Sequence, residues 1–118
     1  MASLSIRIDL DPEGRIGPGK IELLEAIART GSISAAGRAM DMSYRRAWDL
    51  VDELGHIFGQ PVVASRAGGH KGGGATLTPL GEELIARYRM IQHSAANAAR
   101  PHLEALQKIA ARKPQPVE

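Results

Sequence analysis

The chain has 118 residues, 15 Lys and Arg against 13 Asp and Glu, and no cysteine. That length suits one domain with a modest core, the missing thiols exclude disulfide frameworks, thiolate metal sites and cysteine nucleophiles, and a net charge of +2 is too mild to identify a polyanion partner by itself. Hydrophobic residues make up 43% but aromatics only 3%, so the core must be built from Leu, Ile, Val and Ala, which favours helices over a β-sandwich.

Leu4, Ile6, Ile8 and Leu10 alternate with Ser5, Arg7 and Asp9, the period-two pattern of a strand with one buried face, and Asp11 to Gly14 read as a turn. This alternation is neither a signal peptide nor a membrane span, so the default expectation is a cytoplasmic protein without a membrane partner. Pro18 suits a first helical position, and Ile21, Leu24 and Ala28, flanked by Leu23 and Ile27, form an apolar stripe that Gly31 ends. Ser32 caps a short second helix with Ala35, Ala36 and Ala39, whose small side chains admit a close neighbour. After a tight turn at Asp41 and Met42, Ser43 caps a third helix. Its Ala47, Val51, Leu54 and Phe58 share one face, Arg45, Asp49, Asp52 and His56 another, and Gly59, Gln60 and Pro61 stop it. Trp48, beside the apolar face, reads most simply as core.

Pro61 to Ser65 and Ala75 to Thr78 have the composition of paired strands, with Arg66 to Gly74 looping between them. Thr78 and Pro79 restart a helix, with Glu82 and Glu83 in its first turns, where carboxylates suit the macrodipole. Along it Leu84, Tyr88, Ile91, Ala95 and Ala98 recur with heptad-like spacing, the mark of a seam against another helix. Pro101 is expected to kink or interrupt this helix. Leu103, Leu106 and Ile109 suggest a further segment before the tail 113–118, which is expected to be disordered, leaving 1–112 as the domain.

Three helices, a hairpin and a long helix form the element order of an α+β, mainly helical winged helix-turn-helix, with a short N-terminal strand, a hairpin wing and a C-terminal dimerisation helix. Ser43, Tyr44, Arg45 and Arg46 open the third helix, where two guanidinium groups can meet guanine edges or phosphates. An ordinary solvated face is the alternative for the two arginines. The run Gly68, Gly69, His70, Lys71, Gly72, Gly73, Gly74, next to Arg66, lets a backbone lie close to phosphate, or is a plain loop tip; a P-loop would need Ser or Thr after Lys71. His56, His70, His93 and His102 are scattered, no nucleophile–base pair or carboxylate pair is evident, and so no catalytic site, metal site or cofactor is expected.

The segments Gly31 to Ala36, Met42 to Asp49, Gly68 to Gly69 and Gly72 to Pro79 resemble the N-terminal DNA-binding domain of ModE-type molybdate-responsive regulators, and the first of them also resembles the LysR-type helix-turn-helix class. The resemblance runs from about Gly17 to Tyr88. It implies double-stranded DNA as a partner, bound through Ser32, Ser34, Ser43, Tyr44, Arg45 and Arg46 and, on the wing, Arg66, His70 and Lys71. It also implies a homodimer joined partly through the last helix, on which the heptad-like spacing offers Leu84, Tyr88, Ile91 and Ala95 as candidates. The chain departs from the family pattern at Gly55, where asparagine is common, and at His70, where a basic residue is expected. It is also shorter than full ModE regulators, so molybdate sensing is not expected of this chain alone. The expected function is regulation of molybdenum-related or transport genes through a pseudo-palindromic operator; the alternative is a dimerisation partner of a longer ModE-type regulator, without an operator of its own.

Overall fold

Pro18 opens the helix on which the rest of the fold is built. The computed structural model describes residues 1–69 and 72–112; His70, Lys71 and the tail 113–118 lie outside the described residues. In chain order the elements are β1 (Ile8–Leu10), β2 (Gly14–Ile16), α1 (Pro18–Thr30), α2 (Ile33–Ala39), α3 (Tyr44–Phe58), β3 (Val63–Gly69), β4 (Gly72–Leu77) and α4 (Pro79–Ala111). The strands form two separate antiparallel pairs, β1 with β2 and β3 with β4. This is the winged helix-turn-helix order expected from the sequence.

Proline at the start of α1 lacks only an amide that a first turn leaves unpaired anyway. At the other end Gly31 takes φ 75°, and its N–H donates to the Ile27 carbonyl at 2.8 Å. Between them Ile21, Leu23, Leu24, Ala26 and Ile27 are buried. This arc is wider than the stripe read from the sequence, and Ala28, assigned to that stripe, is exposed. The reason is that α1 touches α2, α3, α4 and β4, so it needs apolar residues on more than one side. One core cluster gathers Leu23, Ala26, Ile27, Ala36, Ala47, Leu50 and Ala75; the other joins Ile16, Ile21, Leu24, Leu54, Val62 and Tyr88.

The N-terminal strand is shorter than its alternation suggested. Leu4, Ile6 and Ile8 are half-buried and their neighbours exposed, yet only Ile8–Leu10 forms a ladder, with Ile8 opposite Ile16 and Leu10 opposite Gly14. Pairing ends there because the partner strand is only three residues long before α1 begins. The preceding residues are tied to α4 instead, where the Tyr88 hydroxyl donates to the Ile6 carbonyl at 2.7 Å. The wing hairpin, by contrast, is longer than expected: Arg66 pairs with Gly74 and Gly69 with Gly72, with a register irregularity between them.

Thr78 caps α4 by accepting from the Gly81 amide at 3.1 Å while its hydroxyl donates to the Pro61 carbonyl at 2.8 Å, which joins the two ends of the hairpin. The helix then runs through Pro101 without interruption for 33 residues, roughly 50 Å. The expected break does not occur. Residues 97, 98, 101 and 102 are all exposed, so the carbonyl deprived of its partner by Pro101 faces water. Tyr88 is the last fully buried residue of α4, and most of the helix beyond Arg89 stands away from the core.

Arg89 ties this helix to α1. Its Nε and Nη2 donate to the two carboxylate oxygens of Glu25 at 2.9 and 2.6 Å, and the guanidinium lies 5.8 Å from the Tyr88 ring centroid. The Arg89 hydrogen bonds hold the Glu25 carboxyl below the usual glutamate range, against the opposing effect of partial burial. A carboxylate with a lowered folded-state pKa contributes stability that is present above its unfolded pKa and disappears as pH falls through the folded value. Glu25→Gln is therefore expected to cost about 1 kcal/mol at neutral pH, discounted for a pair that is one-third exposed. In urea melts the difference from wild type should close as the pH falls from about 4.3 downward; a gap that stays constant to strongly acid pH would show that the ion pair is not its source.

Candidate nucleic-acid interface

The geometry of α2 and α3 begins with one residue that has no side chain. A Cβ at Gly37 would stand 3.2 Å from the Met42 carbonyl oxygen and 3.3 Å from the Ala47 Cβ, so the two helices meet at nearly backbone distance. The turn between them closes through Asp41, at φ 57°, and through the Met42 amide, which donates to the Gly37 carbonyl at 2.9 Å. Aspartate is among the few non-glycine residues that tolerate this left-handed conformation. Ser43 then accepts from the Arg46 amide at 3.0 Å, the cap read from the sequence, as Ser32 accepts from the Ala35 amide at 2.9 Å.

The capped end of α3 presents Tyr44, Arg45 and Arg46 to solvent. Arg45 is 84% exposed and ion-paired to Asp49 at 3.3 Å, one turn along the same face; Arg46 forms no ion pair among the described residues. On α2, Ser34 is half-buried and accepts from Arg38 at 2.8 Å. On the wing, the Arg66 guanidinium lies over two glycines, with its Nη2 placed 3.0 Å from where a Cβ would stand on Gly31 and 2.8 Å from one on Gly74. Ser32, Ser34, Ser43, Tyr44, Arg45, Arg46 and Arg66 thus all belong to α2, α3 and the hairpin that follows them, whereas His70 and Lys71 fall outside the described residues.

Trp48 is not core. It is 42% exposed and, with Tyr44 one turn before it, lines an open groove of about 470 Å³ between α3 and the hairpin. Although Trp48 adjoins the apolar face, the buried arc of α3 is narrow, comprising Ala47, Leu50 and Leu54, and the 48 position falls just outside it. The candidate seam residues on α4 also separate. Tyr88 is 2% exposed and committed to the protein's own core, Leu84 is half-buried against the same cluster, Ala95 is half-buried, and Ile91 is 46% exposed. Among the described residues no group of histidine and carboxylate side chains has metal-site geometry, and no helix is long and apolar enough to cross a membrane.

Residues 19–82 match the model of the bacterial regulatory helix-turn-helix protein, lysR family. The chain belongs to that family. The matched segment of this lysR-type domain runs from α1 to the start of α4 and holds α2, α3 and the hairpin, but not the α4 residues from Leu84 onward. Among curated relatives, the domain is 50% identical over 82 residues to the molybdenum-pterin-binding protein MopB of Rhodobacter capsulatus, covering 70% of this chain and 30% of that one. It is 39% identical over 85 residues to the molybdenum transport protein ModE of Azotobacter vinelandii, covering 72% and 32%. To the DNA-binding transcriptional dual regulator ModE of Escherichia coli K12 it is 34% identical over 90 residues, covering 76% and 34%. The chain therefore spans about a third of the length of these relatives. Among solved structures, full-length LysG from Corynebacterium glutamicum with bound effector Arg superposes with TM-score 0.55 at 25% identity, covering 84% of this chain and 31% of that one. The CbnR DBD–DNA complex superposes with TM-score 0.55 at 20% identity, covering 80% and 97%, a likeness of fold.

The closeness of α2 and α3 can be tested directly. Gly37→Val would drive a branched side chain into the Met42 carbonyl and Ala47, and overpacking of this kind costs about 1–3 kcal/mol. Thermal unfolding of Gly37→Val should show a clearly lowered midpoint, with Gly37→Ala intermediate; a Val variant as stable as wild type would mean the helices are not held at this distance.

Proposed function

We propose that this lysR-type domain is a sequence-specific, DNA-binding transcriptional regulator that acts as a homodimer on a pseudo-palindromic operator of molybdenum-related or transport genes. The observation that carries the reading is the exposed, serine-capped start of α3. Tyr44, Arg45 and Arg46 stand there beside orphan backbone amides that favour an anion, next to a hairpin bearing Arg66. The Arg45–Asp49 pair does not oppose this role. An exposed pair one helical turn apart contributes only about 0.3–0.5 kcal/mol, less than the roughly 1–3 kcal/mol of a bidentate base contact, so DNA can displace it. The names of the relatives, molybdenum-pterin-binding and molybdenum transport proteins among them, support the class of genes.

For the dimer, the free part of α4 supplies a register. Ile91, Ala95, Ala98, His102, Ala105 and Ile109 follow alternating steps of four and three residues along one face, and all are exposed or half-buried. This spacing reads the same in both directions about residue 100. An antiparallel second copy therefore sets Ile91 against Ile109, Ala95 against Ala105, and Ala98 against His102, with alanines allowing close approach of the two helices at the centre. The face is shifted from the one read in the sequence, since Leu84 and Tyr88 already serve the protein's own core.

Two measurements test this function. In binding titrations against promoter duplexes of molybdenum-transport genes and shuffled controls, Arg46→Ala is expected to lose about 1–3 kcal/mol on the preferred duplex and to relax base preference. Arg66→Ala should weaken all duplexes alike and reduce the salt slope by about one. Wild-type affinity and selectivity in Arg46→Ala would remove α3 from the interface, and wild-type affinity and salt slope in Arg66→Ala would remove the hairpin. In sedimentation, Ile91→Asp should shift the chain to monomer, because a carboxylate would be placed unpaired between the two helices; a wild-type chain that is monomeric at micromolar concentration would refute the dimer, and a dimer without operator selectivity would leave a partner role for a longer regulator.

A further inference from the structure

Trp48 and Tyr44 stand half-exposed on α3 while the core is made almost wholly of aliphatic residues. Large rings left in water forgo burial that the core would repay, so their position calls for a use. Both line the groove between α3 and the hairpin, together with Ser65 on β3 and with Ser32 and Ser34 at the start of α2. The side-chain donors gathered there are neutral: three hydroxyls, a phenol and an indole N–H. Cationic groups flank them. Arg38 donates to Ser34, and the Arg66 guanidinium sits beside Gly74, which lines the same groove; Asp52, one turn beyond Trp48, is the carboxylate in the lining.

A helix seated in the major groove and a hairpin lying against the adjacent minor groove must have one strand of the duplex between them. On that strand the groove meets phosphates and sugars. Phosphate oxygens only accept hydrogen bonds, which matches a lining rich in donors, and sugar carbons give the two rings an apolar surface to cover. We propose that Trp48, with Ser65 in the same groove, forms a neutral slot for the DNA backbone, the indole N–H and the serine hydroxyl donating to phosphate oxygens of the strand that passes between α3 and the wing. The proposal rests on the DNA-binding reading above and adds a residue to it. Contacts from neutral donors carry affinity but no base preference, and they replace no condensed cation, so they leave the salt slope unchanged.

Trp48 is the only tryptophan of the chain, so its fluorescence reports on the slot directly. The full chain would be titrated with two end-labelled duplexes, the preferred promoter duplex and one of different mixed sequence, following label anisotropy for binding and acrylamide quenching for access to Trp48. Saturation with either duplex should reduce quenching several-fold. Trp48→Phe, which keeps a ring and removes the indole N–H, and Ser65→Ala should each weaken both duplexes about three- to tenfold, with slopes of log K against log salt equal to wild type. Circular dichroism melts should match wild type for Ser65→Ala, which removes only an exposed hydroxyl. If Trp48 is as open to acrylamide in the saturated complex as in the free chain, or if both variants bind like wild type, the slot is refuted while DNA binding stands. A loss confined to one duplex would also refute it, by marking a base contact instead. If the wild-type chain binds neither duplex, both this proposal and the DNA-binding reading fall.

Discussion

One backbone hydrogen bond, from the Ala75 amide to the Gly31 carbonyl at 2.8 Å, decides where the hairpin lies relative to the helices. Gly31 ends α1 in the left-handed conformation and leaves its carbonyl free for β4. The strand can reach it only because Gly74 is bare, since a Cβ there would stand 2.7 Å from the same oxygen. Ala75 then enters the core beside Leu23, Ile27 and Ala36. Ser32, the next residue after Gly31, caps α2, so the hairpin and the α2–α3 pair take their positions from one short segment. The relation between the α3 face and the wing, on which any shared contact with a duplex depends, is set there.

The small-residue core makes this arrangement feasible. Ala26, Ala36, Ala47 and Ala75 are all buried, and Gly37 lets α3 approach α2 to within contact of its backbone. Helices packed this closely gain dispersion contacts but leave little room for rings. Of the aromatic residues, Tyr88 alone is fully buried, and its hydroxyl is satisfied by the Ile6 carbonyl; Phe58 is half-buried, and Tyr44 and Trp48 face the groove beside the wing. Half of the aromatic residues, Tyr44 and Trp48, thus lie outside the core.

Helix α4 has two environments. Up to Tyr88 and Arg89 it is held by Val62, Leu24 and the Glu25 carboxylate, and beyond them Ile91, Ala98, Leu106 and Ile109 are exposed. The ion pair to α1 stands at the boundary between the two. With the buried Tyr88 beside it, the pair anchors the start of the free half of the helix to α1.

The features settled by the sequence itself are those whose chemistry is local. Ser32, Ser43 and Thr78 each accept from an amide three residues on, Gly31 and Gly59 end helices at positive φ, and Pro18 and Pro79 open them; all depend on neighbours within one turn and were legible as such. Residues 31–36, 42–49, 68–69 and 72–79 likewise carried the family resemblance without any structure. What the tertiary structure decided are the contacts between residues far apart in the chain. The short strand Gly14–Ile16 has too little pattern to be seen without its partner. Tyr88 has the spacing of an intermolecular seam but turns to Ile6, Trp48 adjoins an apolar face but lies beyond its edge, and Pro101 is tolerated because its surroundings are open to water. Periodicity states that a residue has an apolar face to share; which surface receives it depends on how many neighbours a helix acquires, and that is settled only when the chain packs.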